Sequence, residues 1–222
     1  MSGGVGGGAW AVGGEAGAPG AGWHAALSEA WDAYCSGSLP IGACVIDATG
    51  TVIARGRNRL NEPRGVAGVI SGSDLAHAEI NALLALQGTP RPDCYGWTVL
   101  TTVQPCPQCA GAIAMSGLRG VAYAAADPWA GCTHLLTHDP YVSRKRIRVE
   151  RAPADVQRAA LRLMLHALLD ELQTGGSRNV LDSFDAAHPQ DVAFAKALHA
   201  SNTLTALRDR RAPLAGALAA LA

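Results

Sequence analysis

The sequence predicts an α/β protein, a mixed sheet with helices on both faces, followed by a purely helical C-terminal region. Three observations carry this. From Trp23 to Ala152, segments of helical period alternate with short apolar runs of strand length, the order that builds a sheet covered by helices. Residues 41–47 and 51–57 are separated only by Ala48-Thr49-Gly50, which reads as a hairpin. After Ala154, leucines and alanines recur with no strand-like run.

Each element follows from its residues. Trp23, Ala26, Leu27, Ala30, Trp31 and Tyr34 fall at helical spacing, and Ser36-Gly37-Ser38 with Pro40 ends that helix. The hairpin comes next, then a loop over 58–73 with Pro63 and several glycines. Asp74 is the expected cap of a helix running to about Leu86, which carries His77 and Glu79 and turns Ile80, Leu83 and Leu84 to the sheet. Gly88-Thr89-Pro90 stops it. Residues 97–103, rich in threonine and valine, form a strand that Pro105 breaks, and Pro107 suits the first turn of a helix to about Ser116. Residues 120–126 are another buried strand, 129–141 are irregular or briefly helical, and 147–152 are the last strand. Beyond them Leu161, Leu163, Met164, Leu165, Leu168, Leu169 and Leu172 make a long helix apolar nearly all round, ended by Gly175-Gly176. Further helices are expected over 189–207 and 213–221. The organisation is thus a flexible Gly/Ala-rich arm over 1–20, an α/β domain over 21–153 and a helical extension over 154–222 packed on the same domain.

Composition narrows the function classes. With 222 residues and 49% hydrophobic content, a packed core is expected rather than disorder. The zero formal net charge does not favour a polyanionic partner, although a local basic patch remains open. No apolar run approaches the roughly 18 residues of a membrane helix. The first basic residue is Arg55, so no positive leader region precedes it. The expected location is cytoplasmic, with reduced cysteines. Cys35, Cys44, Cys94 and Cys132 are expected as small core residues, Cys132 being the one in a candidate pocket loop. His166, His188 and His199 read as structural or surface residues, Asp182 and Asp185 as exposed-loop carboxylates.

Two short motifs carry chemistry. His77-Ala78-Glu79 and Pro105-Cys106-Pro107-Gln108-Cys109 supply one imidazole, two thiols and one spare carboxylate. Zinc takes nitrogen and sulfur ligands, and a catalytic zinc keeps one position open for water. His77, Cys106 and Cys109 fill three positions and leave Glu79 free to move protons. Each motif alone is weak; together, in this order, they are the pattern of zinc deaminases. Exchanging an aromatic amino group for oxygen requires hydroxide, which zinc makes accessible near neutral pH. Two thiolates offset the metal's charge, so a nearby general base gains importance. Glu79 is that candidate: it takes the water proton, passes it to the ring nitrogen beside the attacked carbon, and helps protonate departing ammonia. Helix starts at both motifs would stabilise the thiolates. Residues i and i+2 lie about 200° apart on a regular helix, so Glu79 reaches the site only if it lies off the helix end. The alternative is a structural zinc site with Cys94, Cys132 or His134 as fourth ligand, which leaves Glu79 without a purpose.

At these residues the chain resembles the cytidine and deoxycytidylate deaminase superfamily, and within it bacterial tRNA adenosine deaminases and guanine deaminases. The supporting pieces are Arg57-Asn58-Arg59, Ala76-His77-Ala78-Glu79-Ile80, Pro105-Cys106, Cys109-Ala110-Gly111-Ala112 and Asp127-Pro128-Trp129-Ala130-Gly131, within residues 23–152. The resemblance implies a three-layer α/β/α sandwich with a five-stranded mixed sheet, and a homodimer. It also makes Asn58, Ala78, Gln104, Asp127 and Trp129 the candidate substrate contacts. The chain departs from the family at Gln104, where Glu is common, at Trp129, where tRNA enzymes often have lysine, in the long glycine-rich loop before His77, and in the helices after Ala154.

The expected function is therefore zinc-dependent hydrolytic deamination of a free nucleobase, nucleoside or nucleotide, with a purine slightly favoured. A first alternative is deamination of a flipped base in tRNA or another nucleic acid. It draws on Arg144, Lys145, Arg146, Arg148 and Arg151, three of which alternation would place on one side of a strand. A second alternative is a zinc-bearing protein that binds without turnover.

Overall fold

The computed structural model describes residues 20–90 and 92–222. The expected arm lies outside them apart from Gly20, which precedes the first helix. In chain order the elements are α1 (Ala21–Cys35), β1 (Gly42–Ile46), β2 (Val52–Arg57), α2 (Ala78–Leu84), β3 (Thr98–Val103), α3 (Pro107–Ser116), β4 (Gly120–Ala125), α4 (His134–His138) and β5 (Arg148–Arg151), then α5 (Ala154–Gln173), α6 (Arg178–Ala187), α7 (Pro189–Ala200), α8 (Thr203–Asp209) and α9 (Leu214–Leu221). The strands form one five-stranded mixed sheet, ordered β2-β1-β3-β4-β5. β1 is antiparallel to β2 and β3, whereas β3, β4 and β5 run parallel.

Strand alternation divides the core into two layers. Ala43 and Val45 of β1, Val99 of β3 and Val121 of β4 pack with Ala78 and Ala82 of α2 and with Ala110, Ile113 and Ala114 of α3. Cys44, Ile46, Leu100, Ala122 and Ala124 point the other way, to α1 and α5. The result is the α/β/α sandwich expected. Two glycines allow the helices to approach. A Cβ on Gly42 would stand 2.1 Å from the carbonyl oxygen of Ala26 in α1, and one on Gly56 would stand 2.2 Å from the backbone nitrogen of Ala82 in α2.

The C-terminal helices share the α1 side of the core. Leu165, Phe184, Val192, Leu204 and Leu221 belong to the same cluster as Leu27 and Leu100. A polar clasp fixes them. Asp170 of α5 accepts from the Tyr34 hydroxyl of α1 at 2.5 Å and from Arg208 of α8 at 2.6 Å, and its other oxygen lies 3.0 Å from His199 of α7. The Trp31 indole donates to the Ala212 carbonyl at 2.7 Å. His166, fully buried, places Nδ1 2.7 Å from the Tyr34 oxygen. Because the single Tyr34 proton goes to Asp170, the bond to His166 requires Nδ1 to carry the hydrogen. Nε2 is then a bare acceptor, and it has no partner among the described residues.

Several expectations change. The helix expected over 189–207 is two helices, because Asn202 adopts φ 57° between them; asparagine tolerates that left-handed turn. Asp182 and Asp185 lie on α6 rather than in a loop, where they pair with Arg178 at 3.3 Å and Lys196 at 3.6 Å. Arg144 and Lys145 sit in a short 3₁₀ turn and Arg146 has φ 53°, so Arg144, Arg146 and Arg148 do not line one side of a strand. Of the four remaining cysteines only Cys44 is fully buried; Cys35 and Cys94 pack at the edges of the core, and Cys132 is partly exposed. Among the described residues no helix is long and apolar enough to cross a membrane.

Candidate metal centre and active site

Both chemical motifs lie where the chain enters a helix. α2 begins at Ala78, not near Asp74, and His77 is its N-cap with extended backbone, φ −76° and ψ 153°. Cys106 is likewise the extended N-cap of α3, whose first residue is Pro107. His77 is therefore not a helical residue, and the 200° separation computed for a regular helix does not apply between it and Glu79. Cys109, one turn into α3, is fully buried. The His77 Nδ1 atom lies 3.5 Å from Cys106 Sγ and 3.3 Å from Cys109 Sγ. The three ligand atoms fall within 4.8 Å of one another, and among the described residues no fourth His, Cys, Asp or Glu joins them. Cys132 pairs instead with His134 at 3.6 Å, and Cys94 lies near Gly117 at the far end of α3.

Glu79 stands beside this group. One oxygen is 3.3 Å from Cys109 Sγ and the other accepts from the Thr101 hydroxyl at 3.1 Å. Its side chain is buried, and burial pushes its carboxyl pKa up. The hydrogen bond from Cys109, reinforced by His77, holds the Cys106 thiol down at about 4. Cys109, donor of that bond and buried facing Glu79, is pushed up. The hydrogen bond to Cys106 raises His77 despite its burial. One imidazole nitrogen and two sulfurs converging on a point, with no fourth protein ligand, fit a zinc ion that keeps a position open.

The candidate substrate contacts surround this centre unevenly. Asn58 is buried at 2% exposure, and its side-chain oxygen accepts from the Leu60 amide at 3.0 Å. Its amide nitrogen has no partner among the described residues. Ala78 is the buried first residue of α2. Gln104 is a brace: its amide donates to Thr133 at 2.7 Å and its side-chain oxygen accepts from the Asp127 backbone at 3.1 Å. Asp127 closes its own turn by accepting from the backbones of Trp129 and Ala130. Trp129 is 58% exposed on that turn. The loop ahead of His77 is held by Asn81, which bonds both the amide and the carbonyl of Ile70, and by Glu62, paired with Arg57 and Arg59.

Sequence reading missed Thr101, Asn81 and Thr133. A signal existed for the first. Thr101 and Thr102 lie, with Thr98, in a strand that is buried throughout, and an enclosed hydroxyl calls for a partner.

A nitrogen–sulfur metal centre with an unligating carboxylate beside it, set at the rim of an α/β/α sandwich, is the class of site that zinc deaminases use. Residues 21–125 match the family model of the cytidine and deoxycytidylate deaminase zinc-binding region, a match that runs from α1 through β4. A tRNA-specific adenosine deaminase of Bacillus subtilis is 37% identical over 115 residues, which cover 50% of this chain and 64% of the relative. A cytosine deaminase of Candida albicans is 34% identical over 103 residues, 45% of this chain and 61% of the relative. Among solved structures, one from studies of A-to-I editing by tRNA:A34 deaminases aligns with a TM-score of 0.53 at 26% identity, covering 64% of this chain and 97% of that one. The chain spans less than two thirds of the length of either curated relative.

Proposed function

We propose that the chain is a zinc-dependent hydrolytic deaminase of a free nucleobase, nucleoside or nucleotide, with a purine ring favoured. The observation that carries this is Glu79, a carboxylate at 3% exposure that touches Cys109 yet stays outside the ligand group. Burying an ionisable group is costly unless it is paired, and such groups with raised or lowered pKa values cluster at functional sites. Two of the likenesses, to a tRNA-specific adenosine deaminase and a tRNA:A34 deaminase, favour a purine over the pyrimidine of the cytosine deaminase.

His77, Cys106 and Cys109 would hold the zinc, which supplies Lewis acidity and orients water. Glu79 takes a proton from the attacking water and gives it to the ring nitrogen beside the attacked carbon. A C–O bond forms; Glu79 then takes the remaining proton from that hydroxyl and gives it to the amino group, which leaves as ammonia as the C–N bond breaks. Leu60 occupies the Asn58 oxygen, so Asn58 offers substrate a donor through its amide nitrogen. Ala78 opens α2, where backbone N–H groups lack helical acceptors, and Trp129 presents a flat face for a ring.

The test is ammonia release by zinc-loaded protein from a panel of free bases, nucleosides, nucleotides and tRNA, with Glu79→Ala as control. Turnover of one small molecule that vanishes in Glu79→Ala supports the reading. Undiminished turnover in Glu79→Ala refutes it, and silence on the whole panel at one zinc per chain favours binding without chemistry. A second reading, deamination within RNA, is favoured by Arg144, Lys145 and Arg146 beside the exposed Tyr141, over whose ring Lys145 lies at 5.1 Å. It requires RNA affinity that falls steeply with salt; no binding at low salt removes it.

A further inference from the structure

We propose that Thr101 is a positioning residue for Glu79, its hydroxyl fixing which carboxylate oxygen faces the metal centre. The inference rests on the proton-transfer reading of Glu79 given above. Thr101 is fully enclosed in β3, and its Oγ1 lies 3.1 Å from Glu79 Oε1. The other oxygen, Oε2, is the one near Cys109 Sγ, at 3.3 Å. The two oxygens are thereby assigned, Oε1 to the sheet and Oε2 to the site.

Packing alone does not account for a threonine here. Valine has nearly the same shape and would fill the same space in a buried strand. The neighbouring Thr102 has a backbone partner, accepting from the Gly42 amide at 3.0 Å, whereas Thr101 reaches an ionisable side chain. Its hydroxyl also has a second acceptor, the Val103 carbonyl at 3.1 Å. A hydroxyl carries one proton and accepts through two lone pairs. Thr101 can donate to Glu79 as a carboxylate. When Oε2 takes up a proton at the site, Oε1 becomes the carbonyl oxygen of the acid and still accepts from Thr101. The carboxyl group therefore stays tethered at the same heavy-atom position on both sides of a proton transfer. Fixed geometry of this kind matters because a general acid–base group acts only within hydrogen-bond reach of its target.

Thr101→Ser and Thr101→Ala both delete the methyl group and differ from each other by the hydroxyl alone. Thr101→Val keeps the volume. All three are measured as zinc-loaded full-length protein for melting temperature, zinc content, kcat and KM on the panel substrate that the parent turns over, and for the Glu79 side chain by crystallography. Zinc is expected at one per chain throughout. Thr101→Ala and Thr101→Val should lower kcat about 10- to 100-fold, the scale of one hydrogen bond to a charged group. KM should stay within about twofold, and Thr101→Ser should keep kcat within about threefold of the parent on the same scale. Glu79 should hold one conformer in the parent and Thr101→Ser, and turn or split in Thr101→Ala.

Equal kcat and an identical Glu79 conformer in Thr101→Ser and Thr101→Ala overturn the proposal, as does a rise in KM with kcat unchanged. Should Thr101→Val fail to fold, the serine–alanine pair still decides. Should the parent turn over nothing, the reading of Glu79 has failed on its own, and the conformer comparison still decides whether Thr101 positions it.

Discussion

Acid should loosen the clasp that holds the C-terminal helices to α1, and His166 sets the amount. Its Nδ1 hydrogen bonds to Tyr34, while its bare Nε2, fully buried, has no partner among the described residues. A second proton would create an N–H with no acceptor. The charged groups facing it are Asp170 on its own helix, which favours protonation, and His199 of α7 and Arg208 of α8, which oppose it. Burial is the largest influence, and the pKa falls to about 4. In the unfolded chain the imidazole titrates near its ordinary value of about 6.5. Between those values the unfolded state binds more protons, so stability rises with pH across this window. The contribution is complete above about 6.5 and is lost progressively as pH falls toward about 4, a difference of roughly 3 kcal/mol. Urea unfolding followed by fluorescence of the core residues Trp23 and Trp31 measures it at pH 7 and pH 4.5. His166→Asn is the comparison, since an amide can still donate toward Tyr34 but does not titrate. The parent should lose about 2–3 kcal/mol more than His166→Asn over this interval. Parallel losses in the two proteins would refute the reasoning.

Other consequences can be read independently. Asp170→Ala strips Tyr34, His199 and Arg208 of a shared acceptor and should destabilise by about 3 kcal/mol at pH 7, seen as a lower urea midpoint with unchanged slope. Gly56→Ala drives a methyl group into the backbone of α2, 2.2 Å from Ala82; displaced α2 carries His77 and Glu79 with it, so zinc affinity by chelator competition should fall more than about tenfold and melting should drop. Cys106→Ala removes one of the three ligand atoms and should leave the purified protein with well under one zinc per chain by metal analysis. A chelator should abolish turnover in the parent, and added zinc should restore it.

Where information was local, the sequence could be read. The five strands were legible as short segments bounded by turns and helices, and the residues that converge at the metal centre were named from spacing within two short motifs. Long-range choices were hidden. Asp74 offers good capping chemistry, yet α2 starts at Ala78, because the loop before it is set by Asn81 reaching Ile70 and Glu62 reaching two arginines. The Thr101–Glu79 bond joins a strand to a helix 22 positions away, which no periodicity reports. Asn202 sits inside a helical pattern and breaks it only through its own backbone angle. The arginines after Tyr141 alternate on paper, but the left-handed turn at Arg146 ends that alternation.

The parallel pairing of β3 and β4 has an evolutionary consequence. Their ends release two loops side by side in the same direction: one leads to Cys106 and α3, the other carries Asp127 and Trp129. The side chain of Gln104 spans the gap, with Thr133 and Asp127 as its anchors. The candidate metal ligand Cys106 and the exposed Trp129 thus lie on separate stretches of chain that these parallel strands bring together. Insertions or exchanges between residues 128 and 132 can remodel what the rim admits while the metal ligands stay where they are. Under the proposed function, a lineage built this way can try new substrates without having to reinvent its catalyst.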